Sequence, residues 1–191
     1  MDYESIVLLG LKHTGKSTQG KKLSQKLGYK FLDTDTVMEK VCGKSPRQIY
    51  AEGGIEGFLQ AEEEACIAVS KFFNSEKMII ATGGGICDNP PALMALRPAG
   101  LFVFLKASLE TVVERIVRKV ELLPDGSFKN LPSFVPASEV CSLDEVREYL
   151  TEKFKKRQEI YETAADIIVD VGNGSIEENF QVIMNAIDKH I

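Results

Sequence analysis

The residues with the clearest chemical meaning form a glycine-bounded loop near the start of the chain. The segment GLKHTGKS, residues 10–17, fits the pattern GxxxxGK[ST] at every fixed position. In such a loop the backbone N–H groups cradle phosphate oxygens, the lysine reaches the β- and γ-phosphates, and the hydroxyl ligates Mg²⁺. We therefore expect ATP and Mg²⁺ to bind here, with the side chain of His13 facing solvent. The expected nucleotide contacts are Gly10, Lys12, His13, Thr14, Gly15, Lys16, Ser17 and Thr18.

Two further groups of residues that could do chemistry follow short apolar runs. Asp33 and Asp35 come directly after one run, and in an extended chain they would point to the same side. One carboxylate could then reach Mg²⁺ through water, while the other accepts a hydrogen bond from a substrate hydroxyl and acts as a base. Alternatively, one of them caps the next helix. The triplet Gly83–Gly85 could admit a ligand close to the backbone, or could form only a tight turn.

Predicted strands and helices alternate regularly along the chain. Five short apolar segments, each followed by an amphipathic segment, are typical of a parallel sheet covered by helices on both faces. The loop, the carboxylates and the glycines each follow one of these strands, and ligands of such sheets bind beyond the carboxyl ends of the strands. We expect one three-layer α/β/α domain over residues 1–191. The predicted strands are 5–9, 29–32, 78–81, 101–105 and 167–171.

Two segments between the predicted strands are expected to form a long helix and a lid. A long amphipathic helix is predicted over residues 55–73, with Glu62, Glu63 and Glu64 on its polar side. Residues 121–141 contain three prolines and show little periodicity. A stretch of this kind inside a compact domain is typical of a mobile lid over a site.

Composition excludes several classes of protein. The chain has 23 Lys and Arg against 28 Asp and Glu, a net charge of −5, so it lacks the basic surface of a general nucleic-acid binder. No apolar run is long enough to cross a bilayer. The first residues are acidic where a secretory signal is basic, so we expect a cytoplasmic protein. Its four scattered cysteines are expected to be reduced thiols in or near the core.

Taken in order, these motifs resemble the shikimate kinase family, within the P-loop proteins that have the nucleoside-monophosphate-kinase-like fold. The resemblance covers nearly the whole chain. It implies a P-loop kinase that uses ATP and Mg²⁺ to phosphorylate the 3-hydroxyl of shikimate, and that acts as a monomer. The segments that carry it are GLKHTGKST, FLDTD, ATGGG and KKRQEIYETAAD.

The resemblance also implies roles for individual residues. Lys16 would hold the β- and γ-phosphates, and Ser17 and Asp33 would hold Mg²⁺. Asp35 would bind the shikimate hydroxyls and orient or deprotonate the nucleophile, so that Lys16 and Asp35 are the expected catalytic residues. On the acceptor side, Gly83, Gly84 and Gly85 would line the shikimate site and Arg157 would bind the carboxylate. Arg115 would pack on the adenine side, near the loop 172–175.

The chain departs from the family pattern at two arginines. Where the family usually reads G-E-x-x-F-R, residues 54–59 read GIEGFL, so Ile55 replaces a glutamate and Leu59 replaces an arginine that binds the shikimate carboxylate. The predicted lid contains Lys129 as its one basic residue, in place of the family's arginine. These losses leave two alternatives open. One is a kinase for another small hydroxylated metabolite, gluconate-like or nucleotide-like, and the other is a degenerate nucleotide-binding protein.

Overall fold

The computed structural model describes residues 5–73 and 75–190, and a five-stranded parallel sheet lies at the centre of this part of the chain. The sheet has the strand order β2-β3-β1-β4-β7, which confirms the predicted fold class. Strands β5 and β6 pair only with each other, as an antiparallel hairpin. The strands are β1 (Ser5–Leu9), β2 (Lys30–Asp33), β3 (Met78–Ala81), β4 (Gly100–Lys106), β5 (Glu121–Leu122), β6 (Phe128–Lys129) and β7 (Ile167–Asp170).

Helices flank this sheet and cover its apolar strands. Strands β1 and β3 are buried along their whole lengths, as expected for a parallel sheet with helices on both faces. Helix α1 packs against α7 and β3, and α6 packs against α5 and β4. The helices are α1 (Lys16–Leu27), α2 (Thr34–Cys42), α3 (Pro46–Ser70), α4 (Pro90–Leu96), α5 (Leu109–Val117), α6 (Leu143–Ala164) and α7 (Ile176–His190).

The register of three neighbouring strands brings the candidate residues to one edge of the sheet. Asp33 at the end of β2 pairs with Ala81 at the end of β3, and Ala81 pairs with Leu8 in β1. The three segments that follow these strands therefore begin at the same level. Side chains join them, since the hydroxyl of Thr82 donates to the carbonyl of Leu8 at 2.9 Å and Gly83 N donates to the hydroxyl of Thr34 at 3.1 Å.

Helix α3 differs from its prediction in its start and in its buried face. It begins at Pro46 behind a capping box formed by Ser45 and Gln48, and it breaks at Gly54, where φ is 62°. Glu62, predicted on the polar side, is buried. The prediction was wrong because Glu62 lies four residues after Phe58 and four before Cys66, a spacing that places it in the apolar stripe of the helix.

The segment 121–141, here called the lid segment, has more structure than its sequence suggests. Its first part is the β5–β6 hairpin, in which Lys129 and Glu121 form an ion pair at 3.2 Å. Its second part packs on α6, where the ring of Phe134 lies 6.2 Å from that of Phe154, centroid to centroid. Lys129 is therefore already paired within the hairpin.

Two expectations drawn from composition can also be compared with the structure. The four cysteines are free thiols, and Cys66 and Cys87 are buried as expected, but Cys141 is exposed on the surface rather than in the core. In residues 5–73 and 75–190, no helix is both long enough and apolar enough to cross a membrane.

Candidate active site

The glycine-bounded loop between β1 and α1 is held tightly by its own side chains. Gly10 and Gly15 have φ of 146° and 91°, values that favour glycine. A Cβ at Gly10 would lie 2.8 Å from the carbonyl oxygen of Leu105 on β4. The hydroxyl of Thr14 donates to the carbonyl of Leu11 at 3.0 Å. The loop thus keeps its carbonyls occupied and leaves backbone N–H groups at the start of α1, where an anion is favoured.

The ammonium of Lys16 lies at the centre of this loop. It is buried, and it donates to the carbonyl oxygens of Gly10 at 2.7 Å and Leu11 at 2.8 Å. Burial lowers the pKa of Lys16 to about 8, although the nearby carboxylates of Asp35 and Asp33 oppose this change. The lysine is still mostly charged at neutral pH, and it is already fixed next to the loop amides.

A cleft beside the loop contains the residues expected to contact the nucleotide base. The guanidinium of Arg115 donates to the carbonyl of His13 at 2.9 Å and to Oδ1 of Asn173 at 3.4 Å. The side chain of His13 lines this cleft and is half-buried rather than facing open solvent, which corrects the prediction. Its pKa is lowered to about 4 by burial and by nearby positive charges, those of Lys119 and Lys12 first, so it is neutral at physiological pH.

Ser17 and Asp33 come together as the candidate metal ligands. The hydroxyl of Ser17 donates to Oδ2 of Asp33 at 2.6 Å, and Oδ1 of Asp33 accepts from the backbone N of Asp35 at 3.1 Å. Hydroxyl and carboxylate oxygens suit Mg²⁺. The described residues include no cluster of three or more His, Cys, Asp or Glu that could hold a metal alone. The two oxygens therefore fit a Mg²⁺ ion that takes its other ligands from phosphates and water.

The prediction that Asp33 and Asp35 point to the same side assumed an extended chain. In the structure the chain is helical at Asp35. The strand ends at Asp33, which caps α2, and Asp35 lies in the first turn of that helix. Asp35 is exposed to solvent as a residue, but nearby protein atoms partly desolvate its carboxylate. This partial burial and the negative charge of Asp33 raise its pKa, while Lys16 and Lys12 act in the opposite direction. Asp35 is therefore a stronger base than an ordinary aspartate.

A second carboxylate, that of Glu62, lies beside Asp35. A Cβ built on Gly83 would be 3.0 Å from Oε1 of Glu62 and 3.2 Å from Oδ1 of Asp35. Burial raises the pKa of Glu62 to about 7, although a hydrogen bond from the side-chain amide of Asn89, at 3.0 Å, lowers it in part. The sequence reasoning missed Glu62, and its position in the apolar stripe of α3 was the signal that could have found it.

The other two glycines of the triplet bring the loop and the arginine into the same site. A Cβ on Gly84 would lie 2.7 Å from the backbone N of Lys12, in the phosphate loop. A Cβ on Gly85 would lie 3.1 Å from Nη2 of Arg157. The triplet is thus more than a tight turn, because its lack of side chains lets the loop, the acid pair and Arg157 all approach the end of β3.

Arg157 is buried on α6, with 7% of its surface exposed. Its guanidinium lies over the rings of Phe134 and Phe154, at 5.1 and 5.7 Å from their centroids. Nη2 donates to Oδ2 of Asp88 at 2.7 Å, and Nε is 3.2 and 3.1 Å from the two oxygens of that carboxylate. Burial works against its charged form, but the hydrogen bonds to Asp88 outweigh this effect and raise its pKa.

These groups can perform phosphoryl transfer to a hydroxyl. The phosphate-binding loop with its lysine, the hydroxyl–carboxylate pair of Ser17 and Asp33, and the strengthened carboxylate base of Asp35 lie at the carboxyl ends of neighbouring strands. Such a transfer depends on positioning and on stabilising charge. Arg157, four positions along α6 from Lys153, approaches the same glycine triplet from α6 and brings a guanidinium that an anionic group of an acceptor can contact.

Comparison with known proteins agrees with this chemistry. A family model described as "Shikimate kinase" matches residues 13–188. The shikimate kinase of Chlorobium chlorochromatii is 32% identical over 187 residues, which cover 97% of this chain and 92% of that protein.

Solved structures agree as well. The shikimate kinase from Acinetobacter baumannii in complex with shikimate superimposes with a TM-score of 0.76 at 25% identity, and the match covers 97% of this chain and 93% of that chain. A gluconokinase from Sinorhizobium meliloti has a TM-score of 0.57 at 16% identity, covering 97% and 92%, and that likeness shows the fold alone.

Proposed function

The chain belongs to the shikimate kinase family, and from that premise we propose that it transfers the γ-phosphoryl group of ATP to the 3-hydroxyl of shikimate. The observation that carries the proposal is the meeting of three groups around Gly83–Gly85. These groups are the phosphate loop, the carboxylate of Asp35 and the guanidinium of Arg157. In this proposal the acceptor lies beside the glycine triplet, with its hydroxyl at Asp35 and its carboxylate at Arg157.

On the nucleotide side, Lys16 and the loop amides bind the β- and γ-phosphates. Lys16 is already held by two carbonyls at the loop, so little ordering is needed when the phosphates arrive. Arg115 and the segment 172–174 line the cleft in which the adenine lies. Ser17 and Asp33 would hold a Mg²⁺ ion, which would supply positive charge against the negative charge of the phosphates.

On the acceptor side, Asp35 accepts a hydrogen bond from the attacking hydroxyl and takes its proton as the new oxygen–phosphorus bond forms. The bond between the γ-phosphorus and the β–γ bridging oxygen breaks in the same step, and ADP leaves. The raised pKa of Asp35 favours this proton transfer at neutral pH. Arg157 holds the carboxylate of the acceptor and so fixes which hydroxyl faces the γ-phosphoryl group. The lid segment, whose Phe134 already packs on Arg157, closes the acceptor end against water, which would otherwise accept the phosphoryl group.

The direct test is the rate of ADP formation from ATP and Mg²⁺, with and without shikimate. We expect shikimate to increase the rate well above background hydrolysis, and the phosphorylated product to carry the phosphate on the 3-hydroxyl by NMR. Binding of ATP without any stimulation by shikimate would contradict the proposal.

A second candidate is a kinase for another small hydroxylated metabolite, gluconate-like or nucleotide-like. Two observations favour it, since Leu59 is an apolar side chain where the family has an arginine and Arg157 is already paired with Asp88. A panel of acceptors that includes gluconate and nucleotides distinguishes the two candidates. If shikimate is turned over best by a wide margin, this second candidate is excluded.

A further inference from the structure

The carboxylate-binding arginine of the proposed acceptor site is already occupied by a carboxylate of the protein itself. All three nitrogens of the Arg157 guanidinium donate hydrogen bonds. Nε and Nη2 donate to Asp88, and Nη1 donates to the carbonyl of Gly84 at 3.3 Å. The edge formed by Nε and Nη2, which presents two parallel N–H groups to one carboxylate, is therefore taken.

Asp88 lies directly beside the residues of the proposed acceptor site and is partly exposed to solvent. It ends the short 3₁₀ turn Ile86–Asp88, directly after the glycine triplet. Its side chain is 30% exposed, whereas that of Arg157 is 8% exposed. Lys153, one turn before Arg157 on α6, has its ammonium 3.7 Å from Oδ2 of Asp88. The carboxylate of Asp88 is thus the open side of the cluster formed by Asp88, Lys153 and Arg157.

The charges of this cluster determine how strongly an anionic acceptor can bind. Two cations and one carboxylate leave a net charge of about +1 for the three groups, and Leu59 adds none. An acceptor carboxylate must either share the guanidinium with Asp88, at the cost of repulsion between two like charges, or displace it. In both cases the negative charge of Asp88 opposes binding of an acidic acceptor and has no such effect on a neutral one.

We propose that Asp88 is a specificity-determining residue that competes with the acceptor carboxylate for Arg157. This inference rests on the proposed function, since it takes Arg157 as the group that binds that carboxylate. It predicts that removing the charge of Asp88 strengthens binding of acidic acceptors selectively, because Arg157 and Lys153 are then free to act together.

The test compares shikimate with its methyl ester, which lacks the negative charge, in wild-type protein and in Asp88→Asn. Calorimetric titration in the presence of a non-hydrolysable ATP analogue gives the dissociation constants. We expect Asp88→Asn to bind shikimate about tenfold more tightly, with the dissociation constant of the ester changed less than about twofold. In turnover, KM for shikimate should fall by a similar factor while KM for ATP stays the same.

A control variant, a second uncharged variant and the sign of the effect together show whether tighter binding is due to the lost charge of Asp88. Asp144→Asn removes the same charge from an exposed position at the start of α6 and should leave all these constants unchanged. Asp88→Ser is a second uncharged variant, in case Asp88→Asn does not fold, and thermal melts report folding for each protein. A role of Asp88 in simply orienting Arg157 predicts the opposite sign, with weaker binding of shikimate in both variants.

The outcomes separate this inference from the proposed function. If wild-type protein turns over shikimate but the folded Asp88 variants bind it no more tightly, Asp88 is not a competitor and the proposed function stands. If neither protein turns over shikimate but the variants bind it more tightly, the proposed function is wrong and the role of Asp88 stands. If the variants bind shikimate and its ester equally more tightly, the effect is not one of charge, and the inference is overturned.

Discussion

The proposed nucleotide half and the proposed acceptor half of the site differ in how they are built. In the nucleotide half, the candidate groups are the backbone of residues 10–17 and Lys16, which is buried and held by two carbonyls. In the acceptor half, the candidate groups are separate side chains from α2, α3, α6 and the turn after β3. This half also lacks the cation expected at Leu59 and contains a carboxylate, Asp88, on its arginine.

This difference between the two halves indicates where a substitution is easily accommodated. A backbone cradle requires particular φ values and close contacts at Gly10 and Gly84, so few substitutions leave it intact. A half-buried residue such as Leu59 can exchange a charged side chain for an apolar one without such strain. We therefore expect nucleotide binding to resist most changes outside the loop, and acceptor affinity to respond to single substitutions.

The largest expected effect is in the nucleotide half. Lys16→Ala removes the only lysine held by loop carbonyls in the described residues, and with it the positive charge at the transferred phosphoryl group. We expect kcat to fall about a thousandfold, measured by ADP release at saturating ATP. Lys26→Ala, at the exposed end of the same helix, is the matched control. A comparable loss in the control would mean that α1 as a whole, rather than Lys16, is responsible.

The next prediction concerns Asp35, which lies between the two halves. Asp35→Asn keeps the shape of the side chain but removes the base, so kcat should fall about a hundredfold with little change in KM for ATP. The pH profile is the decisive measurement. The wild-type rate should decrease below the raised pKa of Asp35, and this acidic limb should be absent from the variant.

The residues of the nucleotide half were easier to predict from the sequence than those of the acceptor half. The loop motif and the five strands were predicted correctly because local spacing determines them. The paired use of Asp33 and Asp35 was predicted from an extended chain, but the chain turns into α2 at Asp33 and brings Asp35 in from a helix. Asp88 carries no motif, and only the three-dimensional structure places its carboxylate on Arg157, 69 residues away.

A smaller effect tests whether the acceptor half can be strengthened. Leu59→Arg restores a cation at the position where the family has one. We expect KM for shikimate to fall about tenfold, while kcat and KM for ATP change little. Leu59→Gln adds a polar chain without the charge and should change KM much less. If both variants lower KM equally, polarity rather than charge limits the acceptor half.

The last prediction concerns the free energy of unfolding rather than catalysis, and it involves the buried carboxyl of Glu62 beside Asp35. Glu62 has its pKa raised from 4.5 to about 7, mainly by burial, so the folded protein holds this proton more strongly than the unfolded chain does. The free energy of unfolding therefore decreases as the pH rises from about 4.5 to about 7, by about 3 kcal/mol for this one group. Above that range the loss from this group is complete and constant.

Glu62→Gln removes this titration but retains an oxygen for the hydrogen bond from Asn89. Urea unfolding at a series of pH values should show a flatter dependence between pH 5 and pH 8 for the variant than for the wild-type protein. Glu64→Gln, exposed two residues further along α3, should follow the wild-type curve. Equal pH dependence in all three proteins would mean that Glu62 ionises normally, and that the acceptor half tolerates a buried charge next to Asp35 at little cost.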